Sequence, residues 1–96
     1  MKPLEGITVL DFSQFLSGPS ASLRLADLGA EVIKIENPAG GDLARKLGNV
    51  PEYNQELMGT SFLAQNANKK SLTLKMKADE GKEIYRKLLK TADVVV

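Results

Sequence analysis

The residues that could perform chemistry in this chain are carboxylates, lysines and serines, because its 96 residues include no histidine and no cysteine. A serine–histidine catalytic pair, a histidine or thiolate metal site, a cysteine nucleophile and a disulfide are therefore excluded within this sequence. No two carboxylates have a spacing typical of acid–base catalysis. We expect structural roles for the aspartates, which are Asp11, Asp27, Asp42, Asp79 and Asp93.

The loop from Asp11 to Gly18 is the strongest candidate for a binding site. It follows a β-branched strand and precedes a helix, and open α/β sheets bind ligands outside the carboxyl ends of their strands. Backbone N–H groups at the amino terminus of that helix would favour an anion. Asp11 itself is expected to accept hydrogen bonds from N–H groups of the loop.

Glu36 invites a dinucleotide-binding interpretation, since it ends the second predicted strand 18 positions after Gly18. A ribose-binding acid occupies a similar place in dinucleotide-binding folds. The loop sequence SQFLSGP contains one glycine, however, and lacks the pattern G-x-G-x-x-G. No P-loop sequence G-x-x-x-x-G-K-[ST] is present either. The sequence therefore does not favour NAD or FAD.

Four lysines allow two interpretations: they add positive charge for a phosphate-bearing ligand, or they form an ordinary solvated face. They are Lys69, Lys70, Lys75 and Lys77. The net charge of +1 argues against a dedicated nucleic-acid-binding protein, which would carry a strong basic excess. Under the first interpretation the anionic partner is a phosphate-bearing small molecule, whereas a solvated face is the more usual role of such lysines.

A predicted βαβ unit between residues 7 and 36 would position these groups. Ile7–Phe12 and Val32–Glu36 have the composition of buried strands in a parallel sheet. Gly18 and Pro19 begin the intervening helix, with Pro19 at the first helical position and Ser17 or Gly18 as its cap.

Gly29 is expected to end that helix in the left-handed conformation. Helical spacing predicts that its buried face consists of Ala21, Leu25 and Leu28, widened by Leu23 and Ala26.

The remaining elements follow from periodicity. The sequence predicts a helical turn at Leu43–Leu47, a short helix over 56–65, and a strand in which Leu72, Leu74 and Met76 alternate with polar residues. A helix over 79–91 is expected to bury Ile84, Tyr85, Leu88 and Leu89. Residues 93–96 begin another buried strand.

Composition limits the class of protein. Apolar residues make up 43% and charged residues 26%, as in an ordinary water-soluble domain of this size. No apolar run approaches the roughly 18 residues of a membrane span, and no signal peptide precedes the first strand. We therefore expect a cytoplasmic protein with no membrane partner. The abrupt end at Val94-Val95-Val96 suggests truncation of a longer protein.

Several sequence motifs also carry a resemblance to a known family. Residues 3–42 (PLEGITVLDFSQFLSGPSASLRLADLGAEVIKIENPAGGD) and 66–96 (NANKKSLTLKMKADEGKEIYRKLLKTADVVV) resemble the amino-terminal region of the family III CoA-transferases. The shared motifs are P-L-x-G-x-x-V-L-D, a G-P loop, L-A-D-L-G-A-x-V-I-K-I-E-x-P, N-x-N-K-x-S-L-x-L and A-D-V-V-V. The likeness is weakest between residues 45 and 60.

The resemblance implies an α/β fold, a Rossmann-like parallel sheet with flanking helices. Residues 1–96 would be the amino-terminal part of its large domain, with no second domain. It further implies transfer of CoA from an acyl-CoA to a small carboxylic acid, through a mixed anhydride and an aspartyl-CoA thioester. The family's dimer is interlocked, and no prosthetic group is expected because coenzyme A and acyl-CoA are substrates.

The resemblance also implies the binding residues. The CoA-contacting positions of the family fall on Leu16, Ser17, Asn37, Leu74, Lys75, Met76 and Lys77. Asn37 replaces an arginine of formyl-CoA transferase, and Lys75 stands where family members often have aspartate. The helix cap is expected to shift to Asp79, because Ala78-Asp79 replaces the usual Ser-Pro. No aspartate of this chain occupies the position of the catalytic one.

Three alternatives remain at this point. In the first, the chain is a stand-alone, non-catalytic module that binds CoA or a nucleotide. In the second, it is part of an acyl-CoA racemase on the same scaffold. In the third, it is a fragment that neither binds a ligand nor folds alone. Exposed sheet edges would make such a fragment prone to aggregate.

Overall fold

Four strands, four α-helices and one 3₁₀ helix form the regular structure in a computed structural model that describes residues 1–96. The strands are β1 (Thr8–Asp11), β2 (Glu31–Glu36), β3 (Lys70–Thr73) and β4 (Val94–Val95). The α-helices are α1 (Ser17–Asp27), α2 (Pro51–Gln55), α3 (Thr60–Gln65) and α4 (Asp79–Leu89), and the 3₁₀ helix is Leu43–Lys46. None of these helices is both long enough and apolar enough to cross a membrane.

All four strands belong to one parallel sheet with the order β3-β2-β1-β4. Val9 lies opposite Val32 on one side and Val94 on the other. On the outer side of β2, Ile35 lies opposite Leu72. Strand order 3-2-1-4 with helical connections is that of the first four strands of a Rossmann-type sheet, so the predicted α/β class and parallel sheet are confirmed.

The hydrophobic core lies where α1 covers β1 and β2. Its buried members are Val9, Ala26, Ala30 and Val32, and partly buried side chains such as Leu25 pack against them. Val9, Leu10 and Asp11 have essentially no exposed surface. Strand β1 is therefore buried on both faces, as its composition predicted.

The start and the buried face of α1 differ from the prediction. The helix begins at Ser17, so Pro19 is its third residue, and the capping position is Leu16, with no side-chain cap. The buried residues are Pro19, Ser22 and Ala26, whereas the predicted face members Ala21 and Leu28 are exposed. Small residues face the sheet because the helix packs closely on it, and the hydroxyl of Ser22 has a buried partner in Asp11.

The end of α1 is as predicted. Gly29 has a φ of +110°, and its N–H donates to the carbonyl of Ala26 while the N–H of Ala30 donates to that of Leu25. This pair of hydrogen bonds is the Schellman arrangement, which satisfies the last carbonyls of the helix and turns the chain into β2.

The connection between β2 and β3 contains more helix than expected. The predicted turn at residues 43–47 is present as the 3₁₀ helix. The single helix predicted over 56–65 is wrong in its bounds: α3 begins at Thr60, and a second helix, α2, precedes it. Leu57, with a φ of +60°, and the buried Gly59 separate the two because neither continues a right-handed helix.

Strand β3 ends earlier than its alternating pattern predicted. Leu74 and Met76 lie beyond it, because the partner strand β2 ends at Glu36, opposite Thr73. One further hydrogen bond, from the N–H of Leu74 to the carbonyl of Glu36, continues the pairing. Residues 74–77 therefore lie beyond the sheet and follow the carboxyl end of β3.

Helix α4 is present, but two expectations for it are wrong. Its capping position is Ala78 and not Asp79, which is the first helical residue. The stripe predicted to be buried is largely open, since Ile84 is 44% and Leu89 is 38% exposed. Tyr85 is half-buried through an edge-to-face contact with Phe12, with ring centroids 5.3 Å apart. No strand or helix makes an extensive contact with α4.

Candidate functional site

The carboxylate of Asp11 fastens the loop that follows β1. It accepts hydrogen bonds from the backbone N–H of Ser13, at 2.8 Å, and from the hydroxyls of Ser13 and Ser22. Burial alone would raise the pKa of Asp11, but these hydrogen bonds and the charge of Lys69 hold the pKa below its ordinary value. The predicted role of Asp11 as an acceptor for loop N–H groups is confirmed.

Lys69 fits neither of the two interpretations offered for the lysines. Its side chain is 1% exposed, and its ammonium lies 3.2 Å from Asp11 Oδ2 and 3.0 Å from the carbonyl oxygen of Pro19. Burial lowers the pKa of Lys69 despite the nearby carboxylate of Asp11. Lys70 is different again, because it pairs with Glu31 at 3.0 Å on the exposed face of the sheet.

A second buried pair, Lys34 with Asp42, was not foreseen. Lys34 is 1% exposed, and its Nζ lies 2.8 Å from Asp42 Oδ2 and 3.0 Å from the carbonyl oxygen of Ser13. Asp42 also accepts the N–H of Phe15 at 3.1 Å and of Ala44 at 2.9 Å. Burial opposes ionisation of Asp42, but the hydrogen bonds from Lys34 and these amides lower its pKa. The lysine inside the otherwise apolar run of β2 was the sequence feature from which this buried pair could have been predicted.

Glu36 is fully occupied by protein groups. Arg45 donates from Nε and Nη2 to the two carboxylate oxygens at 2.7 Å each, and Ser71 and the N–H of Asp42 donate as well. Burial raises the pKa of Glu36, but these donors outweigh it and lower the pKa to about 2. Arg45 also stacks over the ring of Phe62, 3.8 Å from its centroid. The carboxylate has no free oxygen for a ribose.

A cavity of about 330 Å³ lies at the carboxyl ends of β1, β2 and β3. Five of the seven predicted binding residues line it, namely Asn37, Leu74, Lys75, Met76 and Lys77. Phe12, Gln14, Ile35 and Glu36 complete the lining. Phe12 and Gln14 belong to the loop from Asp11 to Gly18 that the crevice rule predicted as the binding site, although neither was singled out there.

The other two predicted residues lie elsewhere on the same loop. Leu16 is 62% exposed and lines a separate, mainly apolar groove of about 530 Å³, together with Phe15, Ala44 and Leu47. Ser17 is exposed at the first turn of α1. Residues 14–16 connect the two depressions, since Gln14 lines the cavity and Phe15 and Leu16 line the groove.

The cavity combines an apolar floor with positive charge. Ile35 and Leu74 are buried beneath it, whereas Lys75 and Lys77 are exposed at its margin. Such a lining suits a ligand with both a flat or apolar part and phosphate groups. No three histidine, cysteine, aspartate or glutamate side chains are placed to hold a metal ion.

Comparison with known proteins gives one consistent family. The model of CoA-transferase family III matches residues 4–96. The mouse succinyl-CoA:glutarate CoA-transferase is 47% identical over 96 residues, which are 100% of this chain and 21% of that protein. The Escherichia coli formyl-CoA:oxalate CoA-transferase is 45% identical over 95 residues, 98% of this chain and 22% of the relative.

Solved structures also resemble the chain over nearly its whole length. The crystal structure of the Mycobacterium tuberculosis protein Rv3272 superposes with a TM-score of 0.85 at 45% identity, covering 99% of this chain and 25% of that one. A CAIB/BAIF family protein from Brucella suis gives a TM-score of 0.83 at 37% identity, over 98% and 25% of the two chains. The chain thus spans about a fifth to a quarter of the length of the relatives it matches.

Proposed function

The chain belongs to CoA-transferase family III, and from this we propose that it is the CoA-binding amino-terminal region of an enzyme that moves CoA from an acyl-CoA to a small carboxylic acid. One observation carries the proposal. Five residues that the family resemblance marks as CoA contacts, separated by up to 40 positions in sequence, line a single cavity at the carboxyl ends of the strands.

The charges of the cavity support CoA as the ligand. Asn37 offers an amide where an arginine would have offered a guanidinium, so the positive charge for the CoA phosphates comes from Lys75 and Lys77. Lys69 and Lys70 take no part, because each is engaged by a carboxylate. The apolar floor formed by Ile35 and Leu74 suits the adenine ring.

The length of CoA accounts for the two predicted contacts outside the cavity. With its nucleotide end in the cavity, the molecule extends along residues 14–16 and brings its thioester arm to Leu16 and Ser17. An acyl group attached to the sulfur would then meet the apolar groove beside Phe15 and Leu47. Both depressions are thereby used by one extended ligand.

The chemical step is proposed to depend on an aspartate outside these residues. Asp11 and Asp42 are buried and paired with lysines, and Asp93 accepts the N–H of Thr8. Asp27 and Asp79 are exposed on helices and line none of the depressions described. The nucleophile would form a mixed anhydride and then an aspartyl-CoA thioester, so the 96-residue chain alone is expected to be inactive.

The proposal extends to the setting of the longer protein. It would be a cytoplasmic, interlocked homodimer with residues 1–96 as the first part of its large domain, without a second domain in that range. Its partners would be an acyl-CoA and a small carboxylic acid, with no prosthetic group, membrane or nucleic acid involved.

Titration calorimetry with CoA, dephospho-CoA and NAD tests the ligand. We expect CoA to bind most tightly, and removal of its 3′-phosphate to weaken binding, because Lys75 and Lys77 then lose a charged partner. The double variant Lys75→Gln/Lys77→Gln should abolish the difference between CoA and dephospho-CoA. Lys90→Gln, at the far end of α4, is the matched control and should preserve it. A preference for NAD would refute the proposal.

A further inference from the structure

Two buried lysines hold the segment that runs from the end of β1 into the first turn of α1. Lys34 donates to the carbonyl oxygen of Ser13 at 3.0 Å, and Lys69 donates to that of Pro19 at 3.0 Å. The lysines come from different parts of the chain, one from the middle of β2 and one from the segment before β3. The residues between these two attachment points include Leu16 and Ser17.

Each lysine is neutralised by its own buried aspartate. Lys34 pairs with Asp42 at 2.8 Å and Lys69 with Asp11 at 3.2 Å, and all four side chains are at most 2% exposed. Both aspartates also accept N–H groups of the loop, Asp11 from Ser13 and Asp42 from Phe15. The loop is thus bound on its carbonyl side by the lysines and on its amide side by the aspartates.

Stability alone explains this arrangement poorly. Removing charges from water is costly, and apolar residues of similar volume stabilise a core at least as well as a buried ion pair does. Two such pairs converge on the seven residues 13–19, which run from the loop after β1 into the first turn of α1. What they provide, and what apolar residues would not provide, is directional attachment of specific backbone atoms.

The conformation of the loop also requires such attachment. Phe15 has a φ of +69°, a region that a bulky side chain rarely adopts and that costs free energy unless its surroundings enforce it. The N–H of Phe15 points at Asp42 Oδ1, 3.1 Å away. The aspartate therefore fixes the strained residue directly before Leu16.

We propose that Lys34–Asp42 and Lys69–Asp11 are positioning pairs that hold residues 13–19 in the conformation required for binding of the CoA arm. The part concerning CoA rests on the function proposed above. The part concerning the loop conformation stands on the contacts of Ser13, Phe15 and Pro19 alone.

Two measurements on Lys34→Met and Lys69→Met test both parts: amide hydrogen exchange of Ser13 and Phe15, and the CoA dissociation constant. We expect exchange of Ser13 and Phe15 to increase more than that of the core amides, and CoA affinity to fall about tenfold or more, because the loop is no longer pre-organised. Lys70→Met, which removes an exposed lysine of the same sheet, is the control and should change neither value.

The outcomes separate the two parts. Unchanged loop exchange in both variants, or an equal effect of Lys70→Met, overturns the positioning role. Faster exchange with unaltered CoA affinity overturns the part concerning CoA and leaves the part concerning the loop conformation standing. If the parent chain does not bind CoA, the proposed function fails and loop exchange alone decides the positioning role. Asp42→Asn, which keeps an oxygen for the N–H of Phe15, serves where Lys34→Met does not fold. The Asp42→Asn variant should retain part of the protection of the loop amides against exchange and part of the CoA affinity.

Discussion

Individual residues show an unusual concentration of buried charge for so small a chain. Lys34, Glu36 and Asp42 are at most 4% exposed, and Asp11 is completely buried. Together with Lys69 and Arg45 they form three ion pairs near the carboxyl ends of β1 and β2. Because ionised groups are retained in an interior only when paired, the ends of these strands should respond strongly to pH.

Glu36 makes this dependence measurable. Its pKa is lowered from 4.5 to about 2 by Arg45, Ser71 and the N–H of Asp42, in spite of its burial. A carboxyl group whose pKa is lower in the folded state stabilises that state above its unfolded pKa, and the contribution is lost as the pH falls from about 4.5 to about 2. The shift corresponds to about 3 kcal/mol of unfolding free energy.

Urea denaturation between pH 7 and pH 3 should therefore show less loss of stability in Glu36→Gln than in the parent chain. The variant is expected to be less stable at pH 7, because the ion pair with Arg45 is gone, and to lose less on acidification. Glu31→Gln, on the same strand but exposed and paired with Lys70, is the control and should follow the parent. Equal acid sensitivity of Glu36→Gln and the parent would contradict the role assigned to this carboxylate.

What the sequence could predict at this scale depends on the separation of the partners. The role of Asp11 was predictable because its first partner, Ser13, is two residues away and the pattern is local. Its pairing with Lys69, 58 residues away, was not, because only the folded sheet brings the two together. Glu36 was placed correctly at the end of a strand, but its partners Arg45 and Ser71 could not be read from spacing.

At the scale of elements, the segment between β3 and α4 shapes the cavity. Residues 74–77 line it, and they lie against the first turn of α4 at Gly81. A Cβ atom at Gly81 would lie 1.9 Å from the carbonyl oxygen of Lys75, a backbone atom that cannot turn away. That carbonyl also accepts the N–H of Ala78 and closes the turn into the helix. The glycine is thus required by close approach of two elements.

Gly81→Ala should consequently destabilise the chain. In an exposed helix the same substitution stabilises by about 1 kcal/mol, but overpacking costs about 1–3 kcal/mol and here outweighs that gain. CoA affinity should fall as well, because Lys75 and Met76 are displaced from the cavity. Chemical denaturation and calorimetry give the two values, with Glu83→Ala, an exposed position of the same helix, as the control. A stabilising Gly81→Ala would show that the segment does not pack on α4 as described.

The elements themselves were largely predictable, and the errors share one cause. The strands β1 and β2 and the end of α1 at Gly29 follow from local composition and turn residues. The end of β3 does not, because alternation continues to Met76 while the partner strand stops at Glu36. The predicted buried face of α1 included Ala26 correctly, but it also included Ala21 and Leu28, which are exposed, and it omitted Ser22, which close packing on the sheet buries. Where a neighbouring element determines the end of a strand or the buried face of a helix, hydrophobic periodicity alone does not predict it.

At the scale of the molecule, the chain is a flat body of 39 × 37 × 17 Å with 17 of its 96 residues buried. Its two sheet edges differ in character. The edge formed by β3 carries the polar residues Lys70, Ser71 and Thr73, whereas the edge formed by β4 is Val94 and Val95. These valines and Ile84 and Leu89 of α4 are exposed apolar side chains, which we call the apolar surface of the chain. The amphipathic pattern of α4 was read correctly, but the sequence could not show that this surface is uncovered in the chain.

This apolar surface predicts how the isolated chain behaves in solution. An unpaired strand edge without charges is a template for association, and the net charge of +1 provides little repulsion between copies. We expect the chain to associate increasingly with concentration in sedimentation velocity experiments. Val95→Lys should shift the equilibrium toward monomer, because it places a charge on the edge itself and leaves the core cluster around Val9 unchanged.

Ala67→Lys controls for the added charge, since it raises the net charge equally at an exposed turn outside the apolar surface. It should associate as the parent does, and all three proteins should have the same circular dichroism. Equal reduction by both variants would assign the association to low net charge, because only Val95→Lys alters the edge. A parent chain that stays monomeric and unfolds cooperatively at every concentration would refute the prediction, and would mean that the four-stranded sheet tolerates its open valine edge unaided.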